Sequence, residues 1–195
     1  MPSDPVILAF DTSAAHCAAA LLRGSEIVVT RAEAMSRGQA ERLMPLLEEV
    51  LAEAGLGWKT LDAIGVGVGP GNFTGIRISV SAARGLALGL GVPAVGVSGF
   101  DALAENTPDG HLPAIKAPRD QVYVQSSGTA RLMPLAEARA LGPLYLSANT
   151  GAHAQAIAQV AARRWNTDNK PPSPLYVRPA DAAPSRDLPP LLLDG

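Results

Sequence analysis

A short apolar run at residues 63–68 passes straight into Gly69-Pro70-Gly71-Asn72-Phe73-Thr74-Gly75, and a long helical pattern over residues 73–90 follows at once. No other stretch constrains the fold as much. Gly65 and Gly67 sit inside the run, where glycine weakens a strand and is kept for the close approach of another backbone or helix. The loop glycines permit backbone conformations that other residues avoid. Amides at a helix N-terminus also favour an anion, so two readings stand side by side. One is a phosphate contact; the other is a tight strand-to-helix turn with close packing. The loop has no lysine and matches neither the Walker lysine loop nor the spaced-glycine dinucleotide fingerprint, although Arg77 stands one turn into the helix. The local chemistry therefore leans toward backbone architecture.

The rest of the first half builds around that unit. Apolar runs at residues 6–10, 17–22 and 27–31 are separated by Asp11-Thr12-Ser13 and by Arg23-Gly24-Ser25-Glu26, which predicts three antiparallel strands joined by tight turns. Residues 36–54 predict a helix, with Ser36 and Gln39 as a capping box and Gly55 as the stop. Pro45 inside it predicts a kink. Leu43, Leu47, Val50 and Ala54 share one face, while Met44, Leu46 and Leu51 widen the apolar surface, so one side is expected to cover a sheet and another to meet a partner or a second lobe. Residues 92–97 predict a strand and Ser98 caps a short helix to residue 104. The order β-β-β-α-β-α-β-α predicts a mixed sheet covered by helices.

Beyond residue 104 the signal weakens. Strands are expected at residues 113–115 and 121–125 around Pro118-Arg119-Asp120, at 144–146 and at 175–178, with a helix at 152–164. The tail from Pro179, rich in Pro, Ala and Asp, is expected to lack a packed structure. This places a first lobe at residues 1–104 and a second, shorter one at 105–195.

Composition narrows the function. Hydrophobic residues make up 47% of the 195 and aromatics only 4%, so the core is expected to be aliphatic and small, with helices close on a sheet. Sixteen Lys and Arg against eighteen Asp and Glu give a net charge of -2, which is not the footprint of a chain that grips nucleic acid alone. Any RNA contact is expected to be shared with a partner. Cys17 is the single cysteine and reads as a buried small hydrophobe. Met1-Pro2-Ser3-Asp4-Pro5 lacks a signal-peptide pattern and no apolar stretch is long enough to span a bilayer, so the cytoplasm is the expected compartment.

Asp11-Thr12-Ser13 offers a carboxylate and two hydroxyls at a strand end, suited either to Mg²⁺ with a phosphate or to an Asx-type turn. With the loop it supplies the weak cofactor candidates Asp11, Thr12, Gly71 and Thr74. His16, His111 and His153 form no His-x-x-x-His pair, so no metal is expected, and Cys17 has no catalytic histidine arrangement beside it.

Residues 7–13 (Ile7-Leu8-Ala9-Phe10-Asp11-Thr12-Ser13), 63–77 and 93–98 (Pro93-Ala94-Val95-Gly96-Val97-Ser98) together resemble the TsaB (YeaZ) family, strongly over residues 6–104, with echoes at 114–123 and 174–178. The resemblance implies an actin-like (ASKHA, ribonuclease H-like) α/β fold in two lobes. It implies a non-catalytic subunit required for threonylcarbamoyl transfer to adenosine 37 of tRNAs. Its partners would be the catalytic paralogue TsaD and the ATPase TsaE, with a homodimer as the alternative when alone, and tRNA would be met only through the complex. No cofactor is expected on this chain alone, and ATP or ADP would sit at the subunit boundary. The family's contact through the two long helices gives Leu43, Met44, Leu47, Val50, Phe73, Arg77, Val80 and Ala83 as interface candidates, with Leu47→Glu expected to break pairing and leave a folded monomer. Two departures from the family pattern stand out: Gln39-Ala40-Glu41 replaces His-Ser-Glu, and Lys116 stands where an Asp is usual. The rival reading is an actin-like ATPase or phosphotransferase active on its own, using Asp11 and the 69–75 loop. A peptidase ranks last, since no nucleophile, base and orienting group assemble.

Overall fold

The computed structural model describes residues 4–126, 128–146, 149–167 and 170–177. Strands β1 (Val6–Asp11), β2 (His16–Arg23) and β3 (Glu26–Ala34) pair antiparallel in sequence order. The β2–β3 turn is two residues long, with Gly24 left-handed at φ 64. β4 (Ala63–Gly67) joins β1 in parallel and β5 (Ala94–Val97) joins β4 in parallel, giving the order β3-β2-β1-β4-β5. Parallel neighbours need crossovers, and helices α1 (Gln39–Glu53) and α2 (Phe73–Leu90) supply them. α3 (Gly99–Ala104) follows β5, capped by the Ser98 hydroxyl, which accepts from the Asp101 amide at 3.0 Å.

Strand pleating sorts the side chains between two cores. Leu8, Phe10, Cys17, Leu21, Ile64 and Val66 meet α1 and α2 through Leu43, Leu46, Leu47, Val50, Leu51, Ile76, Val80 and Ala83. Ile7, Ala9, Ala18, Ala20 and Ala63 turn to the other face, where helix α5 (Thr150–Arg164) packs with Ala154, Ile157, Ala158 and Ala161. α5 lies beyond the boundary expected at 104/105, yet it completes the first sheet's core.

The second sheet has the order β8-β7-β6-β9, from β6 (Leu112–Ala117), β7 (Gln121–Ser126), β8 (Thr129–Pro134) and β9 (Leu144–Tyr145), with α4 (Leu135–Ala140) against it. Its core is small: Ala114, Val122, Val124 and Ala138.

Several expectations change. The Ser36–Gln39 capping box does not form: the cap is Gly38 at φ 86 with no side-chain bond, and the Gln39 amide donates to the Met35 carbonyl at 3.2 Å. α1 runs on through Pro45, which sits on the exposed side where water can take the carbonyl it leaves free. Gly55 does stop the helix, left-handed at φ 65, with Leu56 N–H returning to Leu51 at 2.9 Å and Gly55 N–H to Ala52 at 3.0 Å. β8 and α4 were not expected. Residues 175–177 are not a strand, although the Leu175 amide donates to Val68 at 2.8 Å. Arg178 and the tail from Pro179 lie outside the described residues. Among those described, no helix is long and apolar enough to cross a membrane.

Candidate functional site

The pleat that turns Ile7 and Ala9 toward α5 also turns Asp11, the last residue of β1, to that side. On β2 the same rule aims His16 with Ala18 and Ala20. The hairpin therefore brings the Asp11 carboxylate and the His16 imidazole together, Oδ2 to Nε2 at 2.7 Å. Ser13 donates to the same oxygen from its amide at 3.2 Å and its hydroxyl at 2.9 Å, the Asx-type turn anticipated for this segment. Asp11 is fully buried, and its Oδ1 has no hydrogen-bond partner among the described residues. Oδ1 faces Gly67 on β4, where an added Cβ would lie 2.1 Å away, so only glycine leaves room for it. Burial alone would raise the Asp11 pKa. The His16 hydrogen bond, the charges of His153 and His16 and the Ser13 hydroxyl hold it below its ordinary value instead. His153, in the first turn of α5, completes the cluster, and burial lowers its pKa. Cys17 points to the opposite face and is pushed up to about 11 by burial and by Glu33. It is no nucleophile at neutral pH.

The 69–75 loop passes beside this cluster, and several of its polar groups bond within the protein. The Asn72 amide donates to Ser13 O at 2.6 Å, and the Asn72 side chain caps α2 by accepting from Gly75 N at 2.8 Å. The Thr12 hydroxyl donates to Gly75 O at 2.7 Å. A Cβ on Gly75 would meet Thr12 O at 1.9 Å, and one on Gly71 would meet Ser13 O at 2.2 Å. These two glycines let the loop lie directly on the β1–β2 connection. Of the cofactor candidates, Asp11 and Gly71 line the cleft described next, Thr12 is buried and Thr74 is exposed on a neighbouring groove, so the four do not surround one ligand.

A cavity of about 610 Å³ opens between the two sheets. Its first-lobe wall has Asp11, Ser13, His16, His153, Phe73 and Leu103; the facing β6–β7 hairpin presents Ile115, Lys116, Arg119 and Tyr123. Arg119 and Asp120 are both left-handed, at φ 59 and 51, which turns the hairpin tightly. The actin-like cleft that the resemblance implies would hold a magnesium-bound nucleotide, and these residues do not fit one. Asp11 Oδ2 is taken by Ser13 and His16, and Oδ1 is closed in by Gly67. Among the residues lining the cavity Asp11 is the one acid, and Lys116 brings a positive charge. Among the described residues no cluster of three or more His, Cys, Asp or Glu could hold a metal ion.

The interface candidates divide sharply. Leu43, Leu47, Val50, Val80 and Ala83 are buried in the core beneath α1 and α2, because each helix turns its apolar stripe to its own sheet. Leu46 and Leu51 are buried there too, so α1 is not apolar on two sides; its outer surface carries Glu41, Glu48, Glu49 and Glu53, with Met44 exposed at the flank. Phe73 and Arg77 reach the surface but are engaged within the chain. The Arg77 guanidinium lies 3.9 Å over the Phe73 ring and its Nε donates to Tyr176 Oη at 3.0 Å. The Phe73 and Tyr176 rings stand 4.8 Å apart. Leu88, which was not among the interface candidates, is 86% exposed on α2. Its helical position, beside rather than within the stripe of Ile76, Val80 and Ala83, was the available signal.

The chain matches the family model described as TsaD, tRNA N6-adenosine threonylcarbamoyltransferase, over residues 26–174. It is 37% identical over 123 residues to the tRNA threonylcarbamoyladenosine biosynthesis protein TsaB of Haemophilus influenzae, covering 60% of this chain and 51% of that protein. The Escherichia coli protein of the same name is 35% identical over 122 residues, covering 60% of this chain and 52% of that one. The chain thus spans about half the length of these curated relatives. An uncharacterized Mycobacterium tuberculosis protein, Rv3421c, is 34% identical over 198 residues and is covered to 94%. Among solved structures, a Pseudomonas aeruginosa protein described as similar to peptidase YEAZ superposes with a TM-score of 0.75 at 28% identity, covering 89% of this chain and 100% of that one. The structure of YeaZ from the same organism gives 0.68 at 26% identity, covering 88% and 99%. With the strand order β3-β2-β1-β4-β5 flanked by helices, the fold is actin-like, and the chain belongs to the TsaB (YeaZ) branch of the TsaD tRNA N6-adenosine threonylcarbamoyltransferase family.

Proposed function

We propose that this chain is a non-catalytic subunit in the formation of threonylcarbamoyladenosine on tRNA, paired with a TsaD-like catalytic paralogue through the outer face of α2 and the adjoining flank of α1. The exposed side of α2 carries the reading. Leu88 stands 86% exposed, and Ser81, Gly85 and Gly89 on the same side leave room for another helix to lie close. An exposed leucine on a small-residue helix face is covered when a second helix packs there. The charges around it support a partner of the same fold. Acidic Glu41 and Glu48 mark α1, and basic Arg77 and Arg84 mark α2. Two related subunits facing each other about a pseudo-twofold axis would set one helix's acids against the other's bases.

In this assembly a TsaE-like ATPase joins the pair, ATP or ADP sits at the boundary between subunits, and tRNA is met only through the complex, in the cytoplasm. The relatives' names support the pathway, and the net charge of -2 supports a partner that supplies the RNA-binding surface. The test is capture of this chain by a tagged TsaD-like paralogue. Leu88→Glu is expected to abolish capture while leaving the denaturant midpoint unchanged, since the side chain is already in water. Undiminished capture of that variant would remove α2 from the interface.

A further inference from the structure

We infer that the cleft between the two sheets binds an organic oxyanion with an apolar body, and does so without a divalent cation. The fold's usual occupant does not fit, yet the cavity, at about 610 Å³, is the size of a small-molecule site rather than a packing gap. Its walls are mixed in a particular way. Ile115, Tyr123, Leu132 and Leu103 line it with aliphatic and aromatic surface, which a ligand body can cover. Lys116 and Arg119 bring two cations to the same cavity from the β6–β7 hairpin, and neither forms an ion pair among the described residues. Arg163 and Arg164 at the end of α5, which do not line the cavity, are by contrast paired, with Glu105 and Asp101.

The floor fits the same ligand. Asp11 is the acid that would repel an anion, and its charge is countered by bonds from Ser13 and His16 to Oδ2, while Oδ1 lies against Gly67. What remains at the floor to donate is the half-buried His153 ring, with no hydrogen-bond partner among the described residues, since the Nε2 of His16 is held by Asp11. Where a metal site would use carboxylates and Mg²⁺ to hold an oxyanion, this cavity has a lysine, an arginine and the His153 imidazole. A charge-assisted bond from Lys116 replaces the metal bridge.

The test is calorimetric titration of the full chain in excess EDTA with two probes: ADP, a phosphate on an aromatic body, and hippurate, a carboxylate on one. Saturable binding of at least one probe is expected, and the probe that binds names the oxyanion. Added Mg²⁺ is expected to leave that affinity unimproved. Lys116→Ala is expected to weaken binding by about 10-fold or more, as for loss of a charged hydrogen bond, while Lys116→Arg retains it. Lys116 is exposed, so both variants fold as the parent does. Absence of metal-free binding by both probes, binding that requires Mg²⁺, or unchanged affinity in Lys116→Ala would each overturn the inference. The assay contains no partner subunit, so its failure leaves the pairing proposal standing.

Discussion

The two faces of the five-stranded sheet are built by different rules. Under α1 and α2 the core is made of large aliphatics, Leu43, Leu46, Leu47, Val50, Ile76 and Val80 against Leu8, Phe10, Leu21 and Ile64. Under α5 it is mostly alanine, with Ala154, Ala156, Ala158 and Ala161 against Ala9, Ala18, Ala20 and Gly65. Large side chains hold a helix at a distance and allow it an outer surface for other uses. Alanine lets a helix lie almost on the sheet, which brings His153 of α5 to the end of β1 and β2. One face thus leaves the outer side of α2 in solvent and the other leads to a cleft.

The largest way to break this comparison is a charge under α1. Leu47 is wholly buried, so Leu47→Glu is expected to cost more than about 4 kcal/mol and leave the chain unfolded, read by circular dichroism and solubility. A folded Leu47→Glu variant would mean that α1 is not seated as described. It also follows that Leu47→Glu cannot serve as an interface probe; Leu88→Glu can.

A pair of glycine substitutions sharpens the contrast at smaller scale. A methyl on Gly65 would come within 2.9 Å of Ala161 Cβ and 3.1 Å of Ala9 Cβ, both fixed directly to the backbone and unable to rotate away. Gly65→Ala is therefore expected to lose about 1–3 kcal/mol by overpacking. Gly85 on α2 has nothing within 4 Å, and Gly85→Ala is expected to gain about 1 kcal/mol from helix propensity while weakening partner capture. Urea unfolding of both measures the difference; equal shifts would erase the distinction between the faces.

The smallest effect expected is in pH. Burial holds the folded His153 pKa below its ordinary 6.5, so the unfolded chain binds the extra proton between those two values. Its contribution is complete above about pH 6.5 and is lost as pH falls through that window toward the lowered value. Asp11, held below its ordinary 3.8, contributes stability that is present above that value and lost only on further acidification. His153→Gln is expected to flatten the drop in urea midpoint between pH 7.5 and 5.5. A drop of the parent's size would assign the sensitivity elsewhere.

Much of the α1/α2 side was legible in the chain itself. β1 to β3, α2 and the Asn72-capped turn follow from apolar runs, Gly and Asn punctuation and helical period, all of which act over neighbouring residues. The second lobe was not: β8 and α4 have 6 residues each, too short for an apolar period to stand out, with Thr129, Arg131, Glu137 and Arg139 interrupting the apolar positions. The candidate site was half legible. Asp11 and His16 share a face once the hairpin register is drawn, but His153 joins them from more than a hundred residues away, and no local rule points to it.

What the sequence determined alone is the set of elements and the close-packed loop at residues 69–75, because turns, caps and glycine conformations are decided within a few residues. What only the tertiary structure decided is direction: which stripe of α1 and α2 is consumed by the sheet, that Leu88 is left outside, and that Asp11, His16, His153 and Lys116 border one cleft. A helix pattern says that a face must be buried. It does not say against what, and that choice rests on the competition of all the faces for one core.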